Sequence, residues 1–161
     1  MPSASPHGPP PAVTIAEVTT VDDALIVALA RLIPQLAPVF PAPHRQRVQA
    51  LVDANATTLL VARDDAGVIA GTLTLVVLEL PTARRAWIED VVVDQSARGR
   101  GVGEALTRHA LHLASTRGAT TIDLTTNPAR DAANRLYRRL GFRLRETNPY
   151  RFEPGADALD A

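Results

Sequence analysis

Val91-Val92-Val93-Asp94-Gln95-Ser96-Ala97-Arg98-Gly99-Arg100-Gly101-Val102-Gly103-Glu104 is the stretch on which the fold turns. An apolar strand runs out into a turn with glycine at alternate positions, and the turn opens a helix. Glycine tolerates left-handed backbone and lets the main chain approach a ligand closely. The first N–H groups of a helix have no internal partner and carry partial positive charge. Together they describe a backbone cradle for a diphosphate, with Arg98 and Arg100 as nearby cations. Taken alone, the turn also reads as a tight structural corner with solvated arginines. A dinucleotide fingerprint fits less well, because it needs Gly-x-Gly-x-x-Gly and these glycines fall at 99, 101 and 103.

Outward from this stretch, the periodicity predicts alternating elements. Thr14 to Val18 reads as a first strand. Asp22 or Asp23 is placed to cap a helix through Leu25, Leu29, Leu32 and Ile33, with Pro34 as its end. The proline-rich segment from Pro34 to Pro43 reads as a loop, and Arg45 to Asp53 as a second helix. Thr58 to Ala62 and Val68 to Leu80 alternate as strands around a turn at Asp64-Asp65-Ala66-Gly67. Ala86 to Val93 is the strand that enters the glycine turn.

After that turn, Val102, Leu106, Ala110 and Leu113 line a helix that Gly118 stops. Thr121 to Leu124 is a strand. Asn127-Pro128 is read as the cap and first position of a last helix, with Ala133, Leu136, Tyr137 and Leu140 on one face. Phe142 to Leu144 and Tyr150 to Phe152 are expected as two final strands. The order is β-α-α-β-β-β-α-β-α-β-β, an α/β arrangement with a locally parallel pair.

Composition narrows the chemistry. The chain has 161 residues with 17 basic and 17 acidic side chains, enough for one domain and no case for a nucleic-acid or membrane-surface binder. There is no lysine and no cysteine. A P-loop lysine, a Schiff base, a thiolate metal site and a cysteine nucleophile are therefore excluded. Histidines 7, 44, 109 and 112 do not make a metal set. Residues 1–12 read as a disordered tail, 13–154 as a single domain and 155–161 as a frayed end. No run approaches a membrane span, and the expected location is cytoplasmic.

Arg98, Gly101 and Gly103, placed after a strand, resemble the phosphate-binding signature of the GCN5-related N-acetyltransferase superfamily. Ala133-Asn134-Arg135-Leu136-Tyr137-Arg138-Arg139-Leu140-Gly141-Phe142 is similar to that family's last helix and closing turn. The resemblance covers roughly residues 14 to 153. It implies a mixed, mostly antiparallel sheet with helices on both faces, splayed after Val91 into a cofactor cleft. It also implies acetyl-CoA as cosubstrate and a small-molecule or peptide amine as acceptor, in a monomer or homodimer. Backbone of Val91, Val92 and Val93 would pair with the pantetheine arm, and the Val91 N–H would polarise the thioester carbonyl. The N–H groups of Arg98, Gly99, Arg100, Gly101, Val102, Gly103 and Glu104 would hold the pyrophosphate.

The same resemblance makes Tyr137 the acid that protonates the departing thiolate, against its other reading as a core aromatic. Asn134 would bond CoA or be merely a polar helix residue. Where many family members carry an asparagine seven residues before the tyrosine, this chain has Arg130. An amine acceptor also needs a base. Glu89 and Asp90 precede the cofactor segment, and strict alternation puts Glu89 on the face of Val91, which favours Glu89. Its bland reading is a structural hydrogen bond. Acceptor contacts would fall to 34–43, 80–85 and 148–151. A non-catalytic CoA-binding module on the same fold is the alternative function.

Overall fold

The computed structural model describes residues 13–154, which divide into two units at Asn127 and Pro128. The tail and frayed end expected at 1–12 and 155–161 lie outside the described residues.

The first unit runs β1 (Thr14–Glu17), α1 (Asp23–Leu36), α2 (Arg45–Asp53), β2 (Thr57–Arg63), β3 (Ile69–Glu79), β4 (Arg84–Val93), a single 3-10 turn (Gln95–Ala97), α3 (Val102–Thr116) and β5 (Thr121–Leu124). Its five strands lie in the order β1-β2-β3-β4-β5. The first four pair antiparallel, and β5 joins β4 in parallel. That parallel step needs a crossover, which α3 supplies.

Alternation along β2 and β3 sorts the core into two layers. Leu60 pairs with Leu73, and Ala62 with Gly71. A Cβ on Gly71 would stand 3.1 Å from Val102 Cγ1 and 3.2 Å from Leu106 Cδ1, so this face carries α3. Leu59 and Val61 point the other way, into a cluster with Leu25, Leu29 and Leu32 of α1 and Val48 of α2. Helices therefore cover both faces, and near-continuous apolar runs such as Leu59–Ala62 are what a strand buried on both sides requires.

Asp22 caps α1 by accepting from the Leu25 N–H at 2.7 Å. Pro34 does not end that helix, which continues to Leu36. Proline removes only the donor to the Ala30 carbonyl, and Ala30 is exposed, so the lost bond falls where solvent can reach. The loop expected from Pro34 accordingly begins at Ala37. Gly118 stops α3 at φ 81°, its N–H bonding Ser115 O while Ala119 N–H bonds Ala114 O.

The second unit holds α4 (Asp131–Arg139). Asn127-Pro128 does not start it. The cap position is Arg130, without a side-chain cap, and 128–129 lie in a turn before it. The strands expected at Phe142 to Leu144 and Tyr150 to Phe152 are absent among the described residues. Leu144, Tyr150 and Phe152 are 93%, 91% and 71% exposed, and a strand with neither a ladder partner nor a buried face has nothing to hold it. The hydrophobic pattern was right for strands, but pattern without a partner does not make one.

Candidate active site

The site is assembled on the far half of β4. Register between β3 and β4 steps from Thr74↔Glu89 to Thr72↔Val92, so Asp90 and Val91 together face Leu73. This is a β-bulge, and Asp90 takes φ 50° to make it. Aspartate is among the few residues that enter that region readily. The bulge corrects the sequence expectation: Glu89 lies on the α1 face with Thr74, whereas Val91 lies with Val93 on the α3 face. Strict alternation failed because one extra residue was inserted between them.

Pairing of β4 with β5 ends at Ile88↔Leu124. The splay thus begins at Glu89, before Val91 rather than after it. Strand β5 stops at Leu124, and the bulge bends β4 at the same level. From Glu89 to Val93, β4 pairs with no strand on that side among the described residues.

Glu89 keeps solvent access, yet its carboxyl is raised above the usual carboxylate range. Partial burial is the main cause, and the neighbouring Asp90 charge adds to it. The Trp87 indole pulls weakly the other way. It does so without hydrogen-bond geometry, since Trp87 Nε1 is buried with no bonded partner among the described residues.

Beyond Val93 the chain turns through Asp94, a buried aspartate whose Oδ1 accepts from Ser96 N–H at 2.9 Å and Ser96 Oγ at 2.8 Å. The 3-10 turn uses the Ala97 N–H, which bonds Asp94 O at 2.9 Å, and the Arg98 N–H, which reaches Gln95 O at 3.4 Å. Within the first turn of α3, the Ala105 N–H bonds Gly101 O at 3.0 Å. Among the described residues, the N–H groups from Gly99 to Gly103 make no short bond to a backbone oxygen. Gly99 and Gly101 sit at φ 74° and 80°, with nothing within 4 Å of a Cβ built on either.

This is an open nest of backbone donors at a helix start, the geometry that binds a phosphate. Arg98 and Arg100 are exposed beside it, and Arg98 Nε donates to Val93 O at 3.3 Å. Glu104 is ion-paired with Arg108 at 2.8 Å, one turn along, which offsets its charge near the nest.

In the second unit, Tyr137 is half-buried on α4, and burial raises its phenol above the ordinary value while Arg130 pulls it down. The Asn134 amide donates to Arg130 O at 2.9 Å and to Pro128 O at 3.4 Å, so it stitches the start of α4. The end of α4 is closed by Phe142 N–H on Tyr137 O at 3.0 Å and Gly141 N–H on Arg138 O at 3.1 Å. Sequence reasoning placed Phe142 at the end of the family-like motif and in a final strand rather than as the hydrophobe that closes α4, although the position after a helix-ending glycine is where such a residue belongs.

A cavity of about 640 Å³ lies elsewhere, lined by Glu17, Asp53, Asn55, Glu79, Arg84 and Arg117 among others. It sits at the first residue of β4 and the C-terminal end of α3, opposite to the nest on both elements. Its arginines are already engaged, Arg84 with Glu79 at 2.6 Å and Arg117 with Glu17 at 2.9 Å. Among the described residues there is no group of His, Asp or Glu arranged for a metal ion, and no helix is long and apolar enough to cross a membrane.

Comparison with known proteins agrees with this architecture. A streptothricin acetyltransferase of Streptomyces lavendulae is 41% identical over 59 residues, which are 37% of this chain and 31% of that protein. An uncharacterised N-acetyltransferase of Methanocaldococcus jannaschii is 38% identical over 61 residues, 38% of this chain and 27% of its own length. The match thus spans about a third or less of either curated relative. Among solved structures, an aminoglycoside acetyltransferase from an uncultured soil metagenomic sample superposes with a TM-score of 0.76 at 23% identity, over 88% of this chain and 95% of that one. A protein from Bacillus halodurans described as a transcriptional regulator superposes at 0.73 with 28% identity, over 88% and 99%. The sequence model of the acetyltransferase (GNAT) family matches residues 27–142, most of the chain, and the protein belongs to that family.

Proposed function

We propose that the protein moves an acetyl group from acetyl-CoA directly to a primary amine of a small molecule or peptide, in the cytoplasm. The observation that carries this reading is the run of N–H groups from Gly99 to Gly103 that bond no backbone oxygen among the described residues, set just past the point where β4 parts from β5. The nest fits a diphosphate: it is open, glycine-built and flanked by two arginines. Acetyl-CoA supplies the activated thioester, and this chain's residues do the rest.

Backbone from Val91 to Val93 receives the extended arm along the open edge, as an added strand would. The Val91 N–H donates to the carbonyl oxygen as negative charge builds there, which lowers the barrier only if the donor is already aimed. Glu89 takes the proton from the amine, directly or through water, from the α1 face. Its raised pKa suits a base, because a stronger base holds the proton better. Tyr137 gives a proton to the departing thiolate. An alkyl thiol near pKa 8.5 and a phenol near 10 are matched to within about two units, and burial keeps the phenol protonated until then. Streptothricin and aminoglycosides, named for the relatives, are acceptors of the proposed class.

Calorimetric titration with acetyl-CoA, free CoA and NADH tests the reading. Saturable binding of both CoA species without NADH, followed by thiol release in the presence of an amine, is expected. Absence of CoA binding would remove it. The solved neighbour described as a transcriptional regulator favours a second reading, a non-catalytic CoA-binding module. That reading requires CoA binding with no turnover on any amine, and a biological effect that survives Tyr137→Phe.

A further inference from the structure

Helix α1 reaches the start of the turn that leads to the Gly99–Gly103 nest, through two side chains one turn apart. The Arg31 guanidinium forms an ion pair with Asp94, and its second nitrogen donates to Ile69 O at 2.8 Å. Gln35 donates to Arg31 O at 3.1 Å and accepts the Gln95 N–H at 2.9 Å. Asp94 in turn accepts twice from Ser96 and donates its own N–H to Ala70 O at 2.8 Å. The side chain of Asp94 is 11% exposed, so its charge is largely withdrawn from water and depends on Arg31.

We propose that Arg31 and Gln35 are positioning residues for the cofactor, holding the chain at Asp94 and Gln95 so that the donors from Gly99 onward are aimed before the ligand arrives. The proposal rests on the CoA reading of that nest and adds to it a control from a distant helix. Three facts carry it. The two residues grip consecutive positions at the exit of β4, just where its last bond to β3, from Asp94 N–H to Ala70 O, gives way to the turn. Gln35 spends its carbonyl on a backbone N–H of the turn itself, a contact that packing of α1 on the sheet does not need. Arg31 ties the same point to β3 through Ile69, so the turn is referenced to the sheet and the helix together.

A consequence reaches the other substrate. Gln35 is the penultimate residue of α1, and 37–44 leave the helix directly after it. A displacement of that segment on acceptor binding shifts Gln35, and with it the turn. By linkage, an acceptor that steadies the segment tightens acetyl-CoA, and acetyl-CoA tightens the acceptor by the same factor.

The test compares wild type with Gln35→Leu, Arg31→Met and the double variant by calorimetry with acetyl-CoA, by steady-state kinetics and by thermal melting. The expected result is a three- to tenfold weaker Kd and a matching rise in KM for acetyl-CoA in each single variant. The kcat at saturating acetyl-CoA should stay within twofold of wild type. The double variant should lose less than the product of the two, because one clamp is removed. Gln35→Leu keeps the proposal testable if Arg31→Met folds poorly, since it leaves no buried charge behind. A lowered melting temperature with unchanged Kd and KM in folded Gln35→Leu overturns it, for the contact would then be structural only. Failure of wild type itself to bind acetyl-CoA overturns both this proposal and the reading beneath it, and so separates the two cases.

Discussion

The Tyr137 and Phe142 rings meet edge to face, their centroids 5.7 Å apart and their planes at 68°. The contact is built into the helix end. Phe142 N–H bonds Tyr137 O, so the residue that closes α4 also braces the phenol one and a half turns back. Phe142→Ala should loosen Tyr137 and cut kcat several-fold while leaving acetyl-CoA affinity alone. An aromatic pair of this kind contributes about 0.5–1.5 kcal/mol beyond its area, so Phe142→Tyr should restore most of the loss. Equal turnover of Phe142→Ala and wild type would detach the ring pair from catalysis.

Tyr137→Phe removes the proton and keeps the ring. If Tyr137 is the general acid, kcat should fall by about 10²-fold, at the low end for such catalysts, with the same Kd for acetyl-CoA by calorimetry. A melting temperature close to wild type checks that the Phe142 contact survives.

On the proposed mechanism, Glu89 sets the acid side of the pH profile. A base acts only when deprotonated, and burial with the Asp90 charge raises its pKa. The limb of kcat/KM should therefore rise with pH through a midpoint above the ordinary glutamate value. Asp90→Asn removes one of the two causes and should move that midpoint down. Glu89→Gln should abolish the limb along with most of the activity. A profile of Glu89→Gln that keeps the wild-type limb assigns the base elsewhere.

Gly101 separates strain from charge. A Cβ there meets nothing within 4 Å, so Gly101→Ala is penalised only by the left-handed φ of 80°, about 1–2 kcal/mol in melting or denaturant experiments. Gly101→Asp carries the same strain and adds an anion at the nest. Its acetyl-CoA affinity should drop at least tenfold below that of Gly101→Ala, and high salt should narrow the gap.

Gly71 is the opposite case. A methyl there would lie 2.9 Å from the Val92 carbonyl oxygen and press on Val102 and Leu106. Gly71→Ala should destabilise by about 1–3 kcal/mol, because neither a strand backbone nor the seat of α3 moves aside cheaply. Thermal melting reads it directly.

What could be read in advance divides along physical lines. Local signals set α2 at Arg45–Asp53 and β5 at Thr121–Leu124 to the residue, and found the start of α3 through its glycine turn. Gly118 and Gly141 were legible as helix stops because each takes positive φ. The bulge at Asp90 was not, since nothing in Ile88-Glu89-Asp90-Val91 distinguishes an inserted residue from an alternating one. Only the register against β3 shows it, and that register reversed the face assigned to Glu89. The clamp through Arg31, Gln35 and Asp94 escaped for the same reason: it joins residues about 60 positions apart. Leu144, Tyr150 and Phe152 misled in the other direction, as apolar residues that find nothing to cover them.

The β5-facing edge of β4 from Glu89 to Val93 is a row of main-chain groups that pairs with no strand among the described residues, inside the strand order rather than at its margin. Such an edge does not distinguish an extended ligand from the extended backbone of another polypeptide. Left bare, it is a surface on which a second polypeptide could pair. On the proposed reading, an acyl donor lying along this edge would also shield it from a second chain, so added acetyl-CoA should reduce any self-association seen by light scattering.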